Sequence, residues 1–310
     1  MEEVNAREIR IAEVETKRIM TKSSLPVGGY SVNPYVGCTH ACKYCYASFM
    51  KRFTGHGEPW GAFLDVKRWP RIRDPRKYAG ERVVIGSVTD GYNPQEEIYR
   101  NTRRLLEELR YSGAEILICT KSDLVLRDLD LIREIGRATV SWSINTLDED
   151  FRADMDCAVS IERRLAAMKQ FYDAGVRTVC FVSPVFPGLT DVRAIFERAK
   201  DQCDLFWLEN LNLRGGFKKD ILDYIARKHP KLAPLYDEIY NRRDRSYFEA
   251  LERDAEAMAR EHDCRFIDNE LPYARAPKGH PTIVDYFYHE EIRDSANTGR
   301  RRARTVPAST

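Results

Sequence analysis

The chain has 310 residues, with 50 Lys and Arg against 48 Asp and Glu, for a formal net charge of +2. Its 43% hydrophobic fraction is high enough to bury a proper core, and the balanced charge gives no case for nucleic acid or membrane as the partner. No apolar run nears the ~20 residues of a membrane span, and MEEVNAREIRIAEVETKRIM at the start lacks the apolar stretch of a signal peptide, so a cytoplasmic location is expected.

In chain order, residues 1–29 read as an N-terminal extension, and one strand is expected before Cys38. RWPRIRDPRKY (68–78) is basic with two aromatics and reads as a solvated loop rather than a nucleic-acid surface. RVVIGS (82–87) is a continuous apolar run of the kind that forms a buried parallel strand. Residues 96–112 are predicted as one amphipathic helix, with Ile98, Leu105, Leu106 and Leu109 on a single face and Gly113 as its C-cap. The unit then repeats: strand 115–120 with helix 122–135, strand 138–144 with helix 160–174, strand 176–183 with helix 191–201, and strand 204–211 last. This makes about six βα units, either a doubly wound sheet or an open barrel, with ligands at the strand C-termini in both. Residues 216–267 read as a charged helical extension. Residues 268–310, with Pro272, Pro277, Pro281 and the basic GRRRAR (299–304), read as a partly disordered tail.

Cys38, Cys42 and Cys45 form the pattern C-x3-C-x2-C, whereas Cys119, Cys157, Cys180, Cys203 and Cys264 are scattered singly. Without an export signal, clustered cysteines read as metal ligands and scattered ones mostly as small apolar fillers. Thiolates suit zinc or an iron–sulfur cluster. A structural zinc site usually takes two separated ligand pairs; no second pair is nearby, and His40 sits inside the loop. Three cysteines on a [4Fe–4S] cluster leave one iron open to a chelating small molecule.

This motif, with Tyr44 just before its last cysteine, resembles the signature of the radical S-adenosylmethionine (SAM) superfamily. GSVTDGYNPQE (86–96), CTKSDLVLRD (119–128), VSWSINTLDED (140–150), SIERRLAAMKQFYDAGV (160–176) and VSPVFPGLTD (182–191) resemble its spore photoproduct lyase-like branch. MDCAVSIERR and DYFYHEEIRDSANTGR resemble the group called radical SAM mobile pair protein B. The resemblance implies a partial (β/α)6 TIM-type barrel over residues 30–215, a [4Fe–4S] cluster, and SAM cleaved reductively to methionine and a 5′-deoxyadenosyl radical.

The resemblance also implies site residues. Thr89 and Asp90, after the second strand, are expected to meet the SAM amino group, and Lys121, ending the third, to clamp a carboxylate or phosphate. Ser143 and Asn145 fall where ribose or the SAM carboxylate is contacted, and Ser183 opens the loop expected to support adenine. Glu209, Asn210 and Asn212 end the sixth strand and face either SAM or substrate. Spore photoproduct lyase returns a hydrogen atom from a cysteine near the end of its second barrel strand, but residues 86–90 here contain none; Cys157, in RADMDCAVS after the fourth strand, is the nearest replacement.

The expected function is therefore that of a radical SAM enzyme of lyase, transferase or other modifying type, acting on a small molecule or peptide. A flavodoxin- or ferredoxin-like reductant and a second radical SAM protein are the implied partners, with residues 54–78 and 268–290 over the barrel mouth. The alternatives are a DNA-lesion repair lyase and a non-catalytic iron–sulfur or zinc module.

Overall fold

The computed structural model describes residues 8–23, 29–213, 215–268, 281–287 and 305–306. The chain divides into two compact units, residues 1–139 with 153–159 and residues 140–152 with 160–310. The first holds β1 (Arg10–Glu15), β2 (Thr21–Lys22), β3 (Tyr30–Val32), β4 (Tyr35–Val36), β5 (Phe63–Arg68) and β6 (Arg82–Ile85). It continues with α1 (Glu96–Tyr99), α2 (Asn101–Leu109), β7 (Glu115–Thr120) and α3 (Leu129–Ile135). β8 (Ala138–Ser143) and α4 (Glu149–Met155) carry the chain from one unit to the other. The second unit has α5 (Ile161–Asp173), β9 (Arg177–Val185), α6 (Val192–Ala199), β10 (Leu205–Asn210), α7 (Phe217–Lys228), α8 (Ala233–Tyr240) and α9 (Ser246–Glu261). It ends with β11 (Arg265–Asp268), β12 (Thr282–Asp285) and β13 (Thr305–Val306).

In the first unit β3, β6 and β7 pair in parallel, with β2 antiparallel to β3. Val83, Val84 and Ile85 are all buried, as expected where a parallel strand is covered on both faces. Gly86 ends β6 at φ +91°, and a Cβ there would lie 2.5 Å from the Cys119 carbonyl oxygen, so only glycine lets the chain leave the sheet here. A second, smaller sheet was not foreseen: β1 joins β5 in parallel and β4 joins it antiparallel. Residues 10–15, read as an extension, and 63–68, read as part of a cover, are thus strand-forming, with Phe63, Leu64 and Val66 in the core.

The helix expected over 96–112 is broken. Arg100 takes the left-handed conformation (φ 51°), α1 stops there and α2 restarts. The cause is the fully buried carboxylate of Glu96, which accepts the N–H groups of Thr102 (2.9 Å) and Arg103 (3.2 Å) and so caps α2 from the preceding helix. Arg127 Nη2 (2.7 Å) and the Tyr35 hydroxyl donate to the same carboxylate. Leu105, Leu106 and Leu109 face the core as expected, while Ile98 is 73% exposed. The left-handed conformation costs a residue with a Cβ ~1–2 kcal/mol, part of which glycine loses again through unfolded-state entropy. Arg100→Gly should therefore stabilise the protein by roughly 0.5–1 kcal/mol, read as a higher denaturation midpoint. A lower midpoint would show that the Arg100 side chain, not its backbone, matters.

In the second unit β9, β10, β12 and β11 run parallel in that spatial order, with β13 antiparallel to β11. One face carries Val179, Leu205, Trp207, Ile267, Val284 and Tyr286, with Phe181 against Trp207. β12 stands between β10 and β11, so the segment read as a tail supplies a strand to the middle of this sheet. GRRRAR (299–304) lies outside the described residues. Of the helical extension expected over 216–267, residues 217–261 carry α7, α8 and α9 with short connections, but its end, from Arg265, is strand β11. Among the described residues no helix is long and apolar enough to cross a membrane.

Candidate functional site

The loop after β4 presents the three clustered cysteines. Gly37 enters it at φ +86°, where a Cβ would sit 2.4 Å from the Phe63 carbonyl oxygen, fixing the loop against β5. The Cys38 carbonyl accepts the Ala41 N–H, the Cys42 carbonyl the Cys45 N–H, and the Cys45 carbonyl the Ser48 N–H, each at 3.2 Å. Successive tight turns thus bring three thiols into one loop. Cys38 is buried and Cys42 and Cys45 are half-buried.

Burial pushes the Cys38 thiol up to about 12, with Asp90 and Cys45 adding to it. Burial likewise raises Cys42 and Cys45, with Lys121 pulling both the other way. Three thiols gathered in one loop, one buried and two half-buried, are a fitting donor set for a cationic metal centre, which bonds the thiolate form. The residues present fit an iron–sulfur cluster with one iron left open.

Residues 155–157 brace this loop. Lys43 N–H donates to the Met155 carbonyl (2.9 Å), Cys157 N–H to the His40 carbonyl (2.7 Å), and the Tyr44 hydroxyl to Asp156 Oδ2 (3.2 Å). Cys157, expected in the loop RADMDCAVS, lies two residues past α4, because residues 149–155 are helical; among the described residues it is the one exposed cysteine. The Lys121 ammonium lies 5.6 Å from the centre of the Tyr44 ring. Thr89 Oγ1 donates to the Gly37 carbonyl at 2.5 Å.

Asp90 is buried, and its two oxygens are engaged by this chain. Oδ1 accepts from Tyr92 N–H (2.8 Å) and Thr120 Oγ1 (2.9 Å); Oδ2 takes Lys121 N–H (2.7 Å) and pairs with His40 Nε2 (3.0 Å). Burial opposes its charge, but His40 and these N–H groups hold its carboxyl below the ordinary value of 3.8. His40 Nδ1 is buried with no partner among the described residues. The His40–Asp90 pair spans 50 residues, and no local pattern in the sequence marks it.

In the second unit, the Ser143 carbonyl accepts Arg164 Nη1 at 3.1 Å and the Asn145 carbonyl accepts Thr190 Oγ1 at 2.8 Å. Asn145 Nδ2 is a buried donor with no partner among the described residues, which suits an incoming ligand oxygen. Ser183 Oγ donates to Glu209 Oε2 at 2.7 Å, and burial raises the Glu209 carboxyl to about 7 against that hydrogen bond.

Residues 32–198 match the family model described as the Radical SAM superfamily. An uncharacterized protein of Methanocaldococcus jannaschii is 33% identical over 224 residues, covering 72% of this chain and 85% of its own. A relative named as a radical SAM Nα-GlyT isomerase, of Pseudomonas phage M6, is 25% identical over 56% of this chain and 35% of its own length. Among solved structures, a spore photoproduct lyase variant with dinucleoside spore photoproduct aligns at a TM-score of 0.52 and 17% identity, over 71% of this chain and 66% of that one. That likeness concerns the fold, which is of the partial (β/α)6 TIM-type barrel class expected from the sequence.

Proposed function

Because the chain belongs to the radical SAM superfamily, we propose that it holds a [4Fe–4S] cluster on Cys38, Cys42 and Cys45 and cleaves SAM reductively to begin radical chemistry on a small molecule or peptide. The observation that supports this reading is the tight loop that gathers the three cysteines, with the Lys121 charge acting on Cys42 and Cys45. When bound at the cluster, SAM supplies the 5′-deoxyadenosyl radical.

Lys121 pairs with the carboxylate of the incoming methionine moiety and holds its place by leaning on Tyr44. Thr89 fixes the start of the cysteine loop. Asn145 and Ser143 serve the ribose diol, and Ser183 the adenine loop. Cys157, exposed and tied through its N–H to the cysteine loop, is the candidate hydrogen-atom donor, since residues 86–90 contain no cysteine. A flavodoxin or ferredoxin supplies the electron, and a second radical SAM protein is a candidate partner.

The test is anaerobic incubation of reduced, reconstituted protein with SAM, alone and with DNA carrying the spore photoproduct. Methionine and 5′-deoxyadenosine should form in both, with no thymine released. Multiple-turnover thymine release would replace the small-molecule or peptide reading by DNA-lesion repair. Cluster without any SAM cleavage would leave a non-catalytic iron–sulfur module.

A further inference from the structure

Asp268 and Asp285 end the parallel strands β11 and β12 as register partners. Side chains alternate along a strand, so both lie opposite the face formed by Ile267, Val284 and Tyr286. α9 packs on these two strands, with its Phe248 ring 5.2 Å from that of Phe287. One turn further along α9 comes Glu252. One carboxylate oxygen from each of Glu252, Asp268 and Asp285 lies within 4.8 Å of the other two.

A second observation concerns Asp285 itself. It is fully buried; Oδ1 accepts the Phe287 N–H at 2.9 Å, while Oδ2 is buried with no hydrogen-bond partner among the described residues. An orphaned buried carboxylate oxygen is costly and uncommon in a native core, and two more carboxylates alongside compound the cost. A cation would relieve both.

We propose that Glu252, Asp268 and Asp285 form a binding site for a hard divalent cation, which pins α9 to the ends of β11 and β12. An all-oxygen donor set selects Ca2+, Mg2+ or Mn2+ over softer metals. Ca2+ accepts oxygens at ~2.3–2.6 Å in flexible geometry, whereas Mg2+ demands ~2.0–2.1 Å. Three oxygens no more than 4.8 Å apart can reach a Ca2+ ion with little movement, so Ca2+ is the best fit.

The rival occupant is a proton. Burial, then Glu252 and Asp268, push Asp285 up to about 8 against the Phe287 hydrogen bond. Glu252 is raised by burial, then Asp268, Glu249 and Glu256, with Arg253 opposing. A carboxyl raised on folding favours the folded state below its ordinary 3.8 and loses that stability as pH rises to about 8. A bound cation should remove this loss.

The experiment is calorimetric titration of the full chain with CaCl2, with thermal unfolding in CaCl2 or EDTA across pH 5–9. One Ca2+ should bind per chain, raising the unfolding temperature by roughly 4 °C at a hundredfold excess over Kd. Asp285→Asn, which keeps the shape, and Glu252→Gln, on the helix, should each weaken binding at least tenfold. The proposal fails if Ca2+, Mg2+ and Mn2+ all leave heat and unfolding temperature unchanged, or if both variants bind like the parent. The same loss of stability towards pH 9 with and without Ca2+ would assign the site to a shared proton and overturn it.

Discussion

Replacing Cys38, Cys42 or Cys45 by Ala is expected to abolish iron loading and SAM cleavage together. Reconstituted parent protein should be brown and carry about four irons per chain, the content of one [4Fe–4S] cluster. Each cysteine supplies one of only three thiolates in the loop, and the remaining five cysteines lie elsewhere in the sequence. His40 sits inside the loop, but its Nε2 is paired with Asp90. Cys180→Ala, at a buried cysteine on β9, is the control and should leave iron content unchanged. Anaerobically prepared protein that stays colourless and holds one zinc per chain would reject the cluster reading outright.

The cysteine loop was legible because its three cysteines are neighbours in sequence, so spacing alone brings them into one loop. Strand β6 was legible as an apolar run buried on both faces, and β8, ATVSWS, by its apolar–polar alternation. The break in the helix at Arg100 was not. The spacing of Leu105, Leu106 and Leu109 extends back to Ile98 by coincidence, and the decision rests on Glu96 meeting Arg127 and Tyr35, 31 and 61 residues away. β12 was missed for a similar reason: TIVD is four residues long, and its neighbour β10, which it joins to the sheet, lies far back in the sequence. The small sheet escaped notice because β1 and β5, which pair along six residues, are separated by the cysteine loop itself.

Asp90 is where sequence and geometry bear on each other most directly. The resemblance places it at the SAM ammonium, yet its oxygens already take Tyr92 N–H, Thr120 Oγ1, Lys121 N–H and His40. Asp90→Ala should therefore cost about 3–5 kcal/mol of stability, as when one partner of a buried pair is removed. It strips a hydrogen bond from the backbone that carries Lys121 and from the histidine between Cys38 and Cys42. SAM affinity is expected to fall about ten- to a hundredfold, the worth of a lost charged hydrogen bond of ~1.5–3 kcal/mol. Because folding holds this carboxyl below 3.8, its contribution is present above that value and lost as pH falls beneath it; the variant's stability should drop less over that acid range than the parent's. Two measurements separate the roles. Weaker SAM binding with parental iron content and unfolding temperature would place Asp90 at the ligand. Loss of stability and iron together, partly restored in Asp90→Asn, would make it the post on which the cysteine loop and the Lys121 strand end are hung.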